Sequence, residues 1–282
     1  MCTETKQSKE PEATQVASRR LALCIEYAGE RYKGWQKQKF DNLPTVQGYV
    51  EKALSKVANH PVSVICAGRT DTGVNATYQI VHFDSAAIRN ERAWVLGTNS
   101  NLPQDIAVQW AKVVDPEFHA RFSAQQRRYR YLIYSNPVMP AVLAKGVTWT
   151  HKKLDLELMQ QGANYLQGEH DFSSYRAVAC QAKSPVRTIS EISLYRHGEL
   201  LVIDVQANAF LHHMIRNIAG VLMAIGAQEA PPIWAQQVLD ARDRRQGGVT
   251  APPHGLYFVD VKYPEQYSLP ATKLGPFFIG ER

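Results

Sequence analysis

The stretch Ala67-Gly68-Arg69-Thr70-Asp71-Thr72-Gly73-Val74 is the centre of the fold prediction, because a buried apolar segment comes before it and another follows it. Its carboxylate, Asp71, stands among small residues. Asp and Gly are turn formers, so Asp71 could simply close an Asx turn. In the functional interpretation, Gly68 and Gly73 let backbone and substrate approach closely. Asp71 is then presented at the end of a strand as a nucleophile or a base.

The segments on either side of this stretch alternate between strand and helix patterns. Thr45 is a suitable N-cap for the apolar spacing that follows it. The first half predicts helices over 46–57 and 91–97, and strands over 21–27, 62–66, 78–83 and 106–114. The second half predicts helices over 154–166, 210–225 and 231–242, and strands over 128–134, 189–195, 200–205 and 256–263.

This order predicts an α+β fold of two ferredoxin- or RRM-like β-α-β-β-α-β halves, with antiparallel sheets and helices on one face. We expect the active-site cleft between the halves. The predicted domains are a disordered tail over 1–18, an N-terminal α+β domain over 19–115 that carries Asp71, and a C-terminal α+β domain over 116–282. The last domain ends in an arm that lies extended over the body after Pro264.

The composition is that of an ordinary globular protein, with 45% hydrophobic and 21% charged residues among 282. This excludes a disordered, collagenous or coiled-coil chain. Lys and Arg number 32 against 26 Asp and Glu, so the net charge of +6 allows a nucleic-acid partner without requiring one. No segment resembles a signal peptide or is long enough to span a membrane, so we expect no membrane partner.

The cysteines do not predict a metal site. Cys2, Cys24, Cys66 and Cys180 form no CxxC pair, and no nearby histidine completes a zinc pattern. Scattered free thiols are typical of a reducing compartment, so we expect a cytoplasmic protein without a bound metal.

The Asp71 stretch resembles the Gly-Arg-Thr-Asp-Ala-Gly-Val signature of the tRNA pseudouridine synthase A family. Thr72 stands where the family usually has Ala, and Asn75 where it usually has His. The resemblance runs from about residue 20 to the C-terminus. Further blocks agree in order, namely Gly34-Trp35-Gln36, Phe118-His119-Ala120-Arg121-Phe122, Arg128-Tyr129-Arg130-Tyr131, Asn208-Ala209-Phe210-Leu211-His212-His213-Met214-Ile215-Arg216-Asn217 and Gly255-Leu256-Tyr257.

The resemblance implies an isomerase without a cofactor that converts uridine to pseudouridine at positions 38 to 40 of the tRNA anticodon stem-loop. Family members act as homodimers, with one tRNA spanning both subunits. The family's nucleophile falls on Asp71, which would attack either C6 of the uracil or the sugar. The resemblance also implies that Arg216 forms an ion pair with Asp71 and that Arg69 contacts the RNA.

Each of these roles has an ordinary structural alternative. Arg216 lies opposite the apolar stripe of its predicted helix, where an arginine usually faces solvent; in the family interpretation this face borders the cleft. Tyr129 shares a strand face with Tyr131 and Ile133, which suits either an aromatic core or, by resemblance, stacking on uracil and removal of the C5 proton. Leu256 is either an ordinary core residue or the apolar wall of the pocket.

The adjacent histidines His212 and His213 suggest a metal at first sight. No third ligand is evident, however, and neighbouring side chains point apart on a helix. We therefore interpret them as cleft or packing residues.

The basic residues gather in three clusters, and any one of them could be an ordinary solvated face. Their placement beside the candidate pocket predicts phosphate contacts that position tRNA without reading its sequence. We name Arg31, Lys33, Gln36, Arg121 and Arg128 as substrate-binding candidates. The clusters are Arg19, Arg20, Arg31, Lys33, Lys37 and Lys39; Arg121, Arg127, Arg128 and Arg130; and Arg242, Arg244 and Arg245.

Two other functions fit part of the sequence. A non-catalytic RNA-binding protein with two RRM-like halves explains the charge and the element order, but it does not explain the Asp71 stretch, and the aromatic RNP1 pattern is absent. A retaining glycosidase needs a second carboxylate about 5 Å from the first, and no paired acidic motif offers one.

Overall fold

The computed structural model describes residues 18–38 and 43–280. The tail predicted over 1–18 lies outside these residues except for Ser18, and Lys39 lies outside them too. No helix within the described parts of the chain has the length and apolar character that a membrane crossing requires.

The described chain is an α+β fold with ten strands and five α-helices. The helices are α1 (Val46–Ala58), α2 (Glu91–Asn99), α3 (Leu156–Asn164), α4 (Met214–Gly226) and α5 (Trp234–Ala241). The strands are β1 (Arg19–Tyr27), β2 (Ile65–Cys66), β3 (Asn75–Ser85), β4 (Ile106–Val113), β5 (Gln126–Ser135), β6 (Thr148–Thr150), β7 (Gly168–Asp171), β8 (Val186–His197), β9 (Leu200–Ala207) and β10 (Leu256–Lys262).

The ten described strands form one mixed sheet with the order β4-β1-β3-β10-β5-β9-β8-β7, with β2 beside β3 and β6 beside β5. Most neighbours are antiparallel, as predicted. The β3–β10 and β5–β6 pairs are parallel, which the prediction of antiparallel sheets missed. The β3–β10 pair joins the strands of the two predicted halves into one sheet.

Helix α1 starts where a local capping residue predicts it, whereas α4 does not start where predicted. Thr45 Oγ1 accepts a hydrogen bond from the backbone N–H of Gly48 at the start of α1, as the sequence predicts. Helix α4 begins at Met214 and not at Phe210, so the predicted start was wrong. His213 adopts a left-handed conformation with φ of 63°, which an α-helix cannot contain.

The strand predicted over 62–66 is reduced to the two residues of β2. The cause lies in side chains of α1 that take over the backbone donors of this segment. Ser55 Oγ accepts from the N–H of Val62, and Glu51 Oε1 accepts from the N–H of Val64. Because these donors are already satisfied, they do not enter a strand ladder.

The two faces of β5 enter different apolar clusters. Tyr129, Tyr131 and Ile133 belong to the large cluster that also contains buried residues of all five helices of the described chain. Leu132 belongs to a smaller cluster on the other face, together with buried residues of β9 and β10. The predicted common face of the three residues is therefore confirmed.

The C-terminal arm covers this smaller cluster, in agreement with the prediction that it lies over the body. Ile279 is buried there, with Leu274 and Phe278 packed alongside. The carbonyl of Gly275 accepts a hydrogen bond from the buried Arg130 guanidinium at 2.8 Å. The arm thus supports the strand that carries Tyr129.

Gly220→Ala in α4 should destabilise the fold. A Cβ there would lie 1.9 Å from the carbonyl oxygen of Val249, so the loop must move. We expect a loss of about 1–3 kcal/mol of unfolding free energy, measured by urea denaturation, although alanine normally favours a helix over glycine. In the control Gly48→Ala, only Thr45 Oγ1 lies within 4 Å of the new Cβ. A loss of similar size in the control would contradict the steric explanation.

Stability should also fall with acid because of His82, which is buried in β3. Burial, with help from nearby His119, lowers the pKa of His82 to about 4 from its ordinary value near 6.5. Its Nδ1 accepts from the N–H of Ala120, and protonation would remove this acceptor.

Because the folded-state pKa is depressed, the contribution of His82 is complete above pH 6.5 and is lost as the pH falls towards 4. We expect this loss to reach about 2–3 kcal/mol. His82→Asn keeps an acceptor oxygen but does not titrate, so its unfolding free energy should decline less over this range. An equal decline in both proteins would exclude His82 as the source.

Candidate active site

Asp71 lies in the loop between β2 and β3, and backbone contacts of the surrounding loops hold that loop in place. The carbonyl of Thr70 accepts from the N–H of Trp35 at 3.0 Å, and the Thr70 hydroxyl bonds to Tyr27. Gly34 has a φ of +86°, and a Cβ there would lie 2.7 Å from the Thr70 carbonyl oxygen. The Gly34-Trp35 block therefore supports the Asp71 loop by close backbone packing.

A second support for the Asp71 loop comes from Arg127 near the start of β5. The guanidinium of Arg127 donates to four backbone carbonyls, those of Ala67, Arg121, Ala124 and Asn208. It ties the segment before Asp71 to the segment before α4. Arg127 was predicted as part of an RNA-binding cluster, and this structural role was missed because its partners are backbone atoms that no side-chain pattern reveals.

Three cationic or potentially cationic side chains surround the Asp71 carboxylate. His212 Nε2 lies 3.2 Å from Oδ1, and His213 Nε2 lies 3.5 Å from Oδ2. Arg216 Nη1 lies 3.6 Å from Oδ2. The predicted proximity of Arg216 to Asp71 is therefore present, with the Arg216 side chain 14% exposed and the Asp71 side chain 23% exposed.

The two histidines contradict the prediction that their side chains point apart. They precede α4 instead of lying in it, and the left-handed turn at His213 directs both rings to the same carboxylate. Their ring centroids lie 4.1 Å apart. The sequence makes no third candidate ligand evident, whereas the structure brings Asp71 to both rings, and the three residues form a group that could hold a metal ion.

The cationic side chains around Asp71 differ in their charge at neutral pH. Burial lowers the pKa of His213, against the opposing effect of Asp71, so His213 tends towards the neutral form at neutral pH. Arg216 remains as a permanent cation. Arg216, which faces Asp71, belongs to the first turn of α4.

Arg216 is held by the loop over α4. Its Nε donates to the carbonyl of Ala251 at 2.8 Å, and its own carbonyl accepts from the Ala251 N–H. Arg244 braces the same loop, because its Nη2 donates to Asn217 Oδ1, Gly248 O and Thr250 Oγ1. Arg244 was predicted as part of an RNA-binding cluster, but its guanidinium is bonded inside the protein.

Tyr129 is buried between aromatic rings. Its ring stacks on Phe258 of β10 with centroids 4.6 Å apart and an interplanar angle of 15°. Phe210 meets it edge-on at 5.1 Å. Burial, with a contribution from nearby Tyr27 and Asp71, raises the pKa of Tyr129 well above its usual range. The sequence pattern missed Phe258, since it resembles any other core residue of the last strand.

The two departures from the family signature have different surroundings. Thr72 is exposed next to Asp71. Asn75 is buried and joins two loops, because its Oδ1 accepts from the N–H of Gly29 and its Nδ2 donates to the carbonyl of His254. Asn75 thus has a structural role at the edge of the site.

The predicted substrate-binding residues divide into two groups. Arg69, Lys33 and Arg121 are exposed, and Arg121 lies over the ring of Phe122. Arg31 is also exposed, with its guanidinium 3.6 Å from Asp105.

The other predicted contacts are engaged within the protein. Gln36 donates to Gln47 at 2.8 Å. Arg128 forms a bidentate pair with Asp204, at 2.6 and 2.9 Å. Leu256 is buried at the start of β10, paired with Tyr131 in the ladder. No hydrogen bond or ion pair within the described part of the chain joins these three residues to Asp71.

The chain matches a family model described as tRNA pseudouridine synthase over residues 23–123 and 163–264. It is 60% identical over 260 residues to the tRNA pseudouridine synthase A of Pseudomonas aeruginosa, covering 92% of this chain and 91% of that one. With the protein of the same name from Alcanivorax borkumensis it is 54% identical over 263 residues, covering 93% and 98%. The chain therefore belongs to the tRNA pseudouridine synthase family.

Among solved structures, the chain has a weak likeness to a Cbf5-Nop10-Gar1 complex. The TM-score is 0.35 with 10% sequence identity, over 84% of this chain and 57% of that one.

Arg216→Lys should lower turnover more than stability. A lysine ammonium cannot keep the bond to the Ala251 carbonyl and also face Asp71, as the guanidinium does. We expect kcat for pseudouridine formation on a tRNA substrate to fall about tenfold or more, for a loss of about 1.4 kcal/mol of transition-state stabilisation.

The melting temperature and the affinity for tRNA should change little in this variant. Arg92→Lys, at an exposed arginine of α2 outside the three basic clusters, serves as the matched control and should retain full activity. An unchanged kcat in Arg216→Lys would exclude the ion pair from the reaction.

Proposed function

We propose that this chain is an isomerase that converts uridine to pseudouridine at positions 38 to 40 of the tRNA anticodon stem-loop, with Asp71 as the nucleophile. The observation that carries the proposal is the Asp71 carboxylate held between Arg216, His212 and His213 in a chain of this family. The curated relatives that share most of the chain carry the name tRNA pseudouridine synthase A.

The chemistry explains why a carboxylate is needed. The C1′–N1 bond of uridine breaks, the uracil turns, and a C1′–C5 bond forms. A carboxylate can add to C6 of the ring or assist at the sugar and then leave again, so substrate and product have the same atoms. Arg216 places a positive charge 3.6 Å from Oδ2 of the carboxylate that either route requires. The reaction itself then consumes no cofactor.

Tyr129 is proposed to support the uracil at the floor of the pocket. Phe258 already covers one face of its ring, so the base would use the remaining exposed part. Stacking of a base on an aromatic ring contributes about 1–3 kcal/mol, which offsets part of the few kcal/mol needed to extrude a nucleotide. The raised pKa of Tyr129 keeps its phenol protonated. Tyr129 can therefore accept the C5 proton only if its own hydroxyl proton moves to another acceptor at the same time.

The exposed cations Arg31, Lys33, Arg69 and Arg121 are proposed to contact phosphates of the RNA. They remain available, whereas Arg128 would have to leave its bidentate pair with Asp204. Gln36 is proposed to orient the substrate-facing loop, since its Nε2 donates to the carbonyl of Lys37. Leu256 is proposed as an apolar wall of the pocket, which its position two residues before Phe258 supports.

We further propose two ferredoxin-like units, over 19–115 and 116–282, with the active-site cleft between them. The strand orders β4-β1-β3-β2 and β10-β5-β9-β8 support this division. We also propose a homodimer that binds one tRNA across both subunits, on the basis of the family resemblance. The free thiols of the described cysteines support a cytoplasmic location.

Asp71→Asn tests the nucleophile. The amide keeps the size of the side chain but can act neither as a nucleophile nor as a base. Pseudouridine formation should therefore fall below detection, by at least 10⁴-fold, as is typical when a catalytic group is removed. Pseudouridine mapping of tRNA treated with the purified protein measures the product, and gel-shift titration measures binding, which should persist.

The matched control is Asp240→Asn, an exposed carboxylate of α5 that should be neutral. Retained turnover in Asp71→Asn would refute the assignment of Asp71. Tight tRNA binding without any product from the wild-type protein would favour the non-catalytic RNA-binding function instead.

A further inference from the structure

The Asp71 carboxylate lies between two imidazole rings, and the proposed isomerisation assigns no step to either ring. A ring nitrogen of His212 lies 3.2 Å from Oδ1, and one of His213 lies 3.5 Å from Oδ2. One ligand atom from each of the three residues lies within 4.8 Å of the other two. The arrangement therefore needs a separate explanation.

The backbone at His213 adopts an unfavourable conformation to produce this arrangement. His213 has a φ of 63°, which is uncommon for a residue with a side chain. Because of this turn, rings that would diverge on a continuous helix meet with their centroids 4.1 Å apart. Unfavourable backbone conformations of this kind concentrate at functional sites.

Two imidazoles and a carboxylate are a common donor set for zinc with an open position. Zinc binds nitrogen and oxygen ligands at about 2.0–2.2 Å, so ligands in a tetrahedron are about 3.4 Å apart. The His212 Nε2–Asp71 Oδ1 distance of 3.2 Å is close to this value, and His213 Nε2 lies 3.5 Å from the second oxygen of the same carboxylate. All three side chains are partly exposed, at 42% for His212 and 29% for His213, so an ion can enter from solvent and keep water ligands.

We propose that the RNA-free protein binds one Zn²⁺ ion through Asp71, His212 and His213, and that the bound ion reversibly inhibits the enzyme. The ion would occupy lone pairs of the carboxylate that the uridine requires. Binding rests on the geometry of the three side chains alone, whereas inhibition rests on the proposed role of Asp71 as the nucleophile.

Arg216 affects both how tightly the ion binds and which oxygen of Asp71 it binds. Its guanidinium lies 3.6 Å from Asp71 Oδ2 and repels a divalent cation. The ion is therefore expected on the Oδ1 side, next to His212. The repulsion also makes the site weaker than a zinc site without a neighbouring cation, which suits reversible occupation.

The binding test uses the untagged full-length protein without RNA. Isothermal titration with Zn²⁺ should give one ion per chain, and Co²⁺ in its place should show the intense visible absorption of a four-coordinate site. His212→Asn and Asp71→Asn should each weaken Zn²⁺ binding about tenfold or more, since even losing a partner behind the ligands costs 10–100-fold. His197→Asn removes an exposed imidazole at the end of β8 and is the matched control.

Circular dichroism spectra and melting temperatures of the variants establish that each is folded. Stoichiometric binding that depends on His212 and Asp71 but not on His197 supports the site. No zinc binding by the wild-type protein, or equal binding by all variants, overturns it.

The inhibition test follows pseudouridine formation at increasing free Zn²⁺. Turnover of the wild-type protein should fall as the site fills and return when EDTA is added in excess. Full turnover with the site occupied overturns the inhibition. A protein that binds zinc as expected but makes no pseudouridine under any condition would contradict the proposed function and not the metal site, so the two failures are distinguishable.

Discussion

The parallel pairing of β3 with β10 is the constraint on which the site depends. Tyr257 pairs with Asn75 and Phe258 with Ala76, and these two pairs connect the strands of the first and second halves of the chain. Because the strands run in the same direction, the loops that precede them emerge at the same end of the sheet. The loop before β3 carries Asp71, and the loop before β10 holds Arg216 through Ala251.

The same pairing positions the aromatic part of the pocket. Strand β10 lies between β3 and β5, and Phe258 stands opposite Tyr129 in the antiparallel ladder. The two rings stack, and this contact contributes to the burial of Tyr129. Tyr129 is also close enough to Asp71 for the carboxylate to affect its pKa. A slip of one residue would turn Tyr129 to the opposite face, since side chains alternate along a strand.

The start of α4 supplies the charges around Asp71. If the helix had begun at Phe210, the rings of His212 and His213 would have diverged, as the sequence predicted. The left-handed residue at His213 delays the helix by one turn and directs both imidazoles to the carboxylate. Sequence periodicity cannot reveal such a turn, because the apolar spacing continues through it from Phe210 to Ile225.

The sequence by itself determined the features that depend on neighbouring residues and on recognisable motifs. It predicted the Asp71 loop, the N-cap at Thr45, the common face of Tyr129 and Tyr131, and the partnership of Arg216 with Asp71 implied by the family resemblance. Tertiary structure alone decided the parallel junction, the turn at His213, and which arginines keep an exposed guanidinium group. Arg127, Arg128 and Arg244 look like surface cations in the sequence, yet their guanidinium groups bond to Ala67, Asp204 and Asn217, which are remote in the chain. Such bonds depend on which distant groups the fold brings within hydrogen-bonding distance, and local patterns carry no information on that.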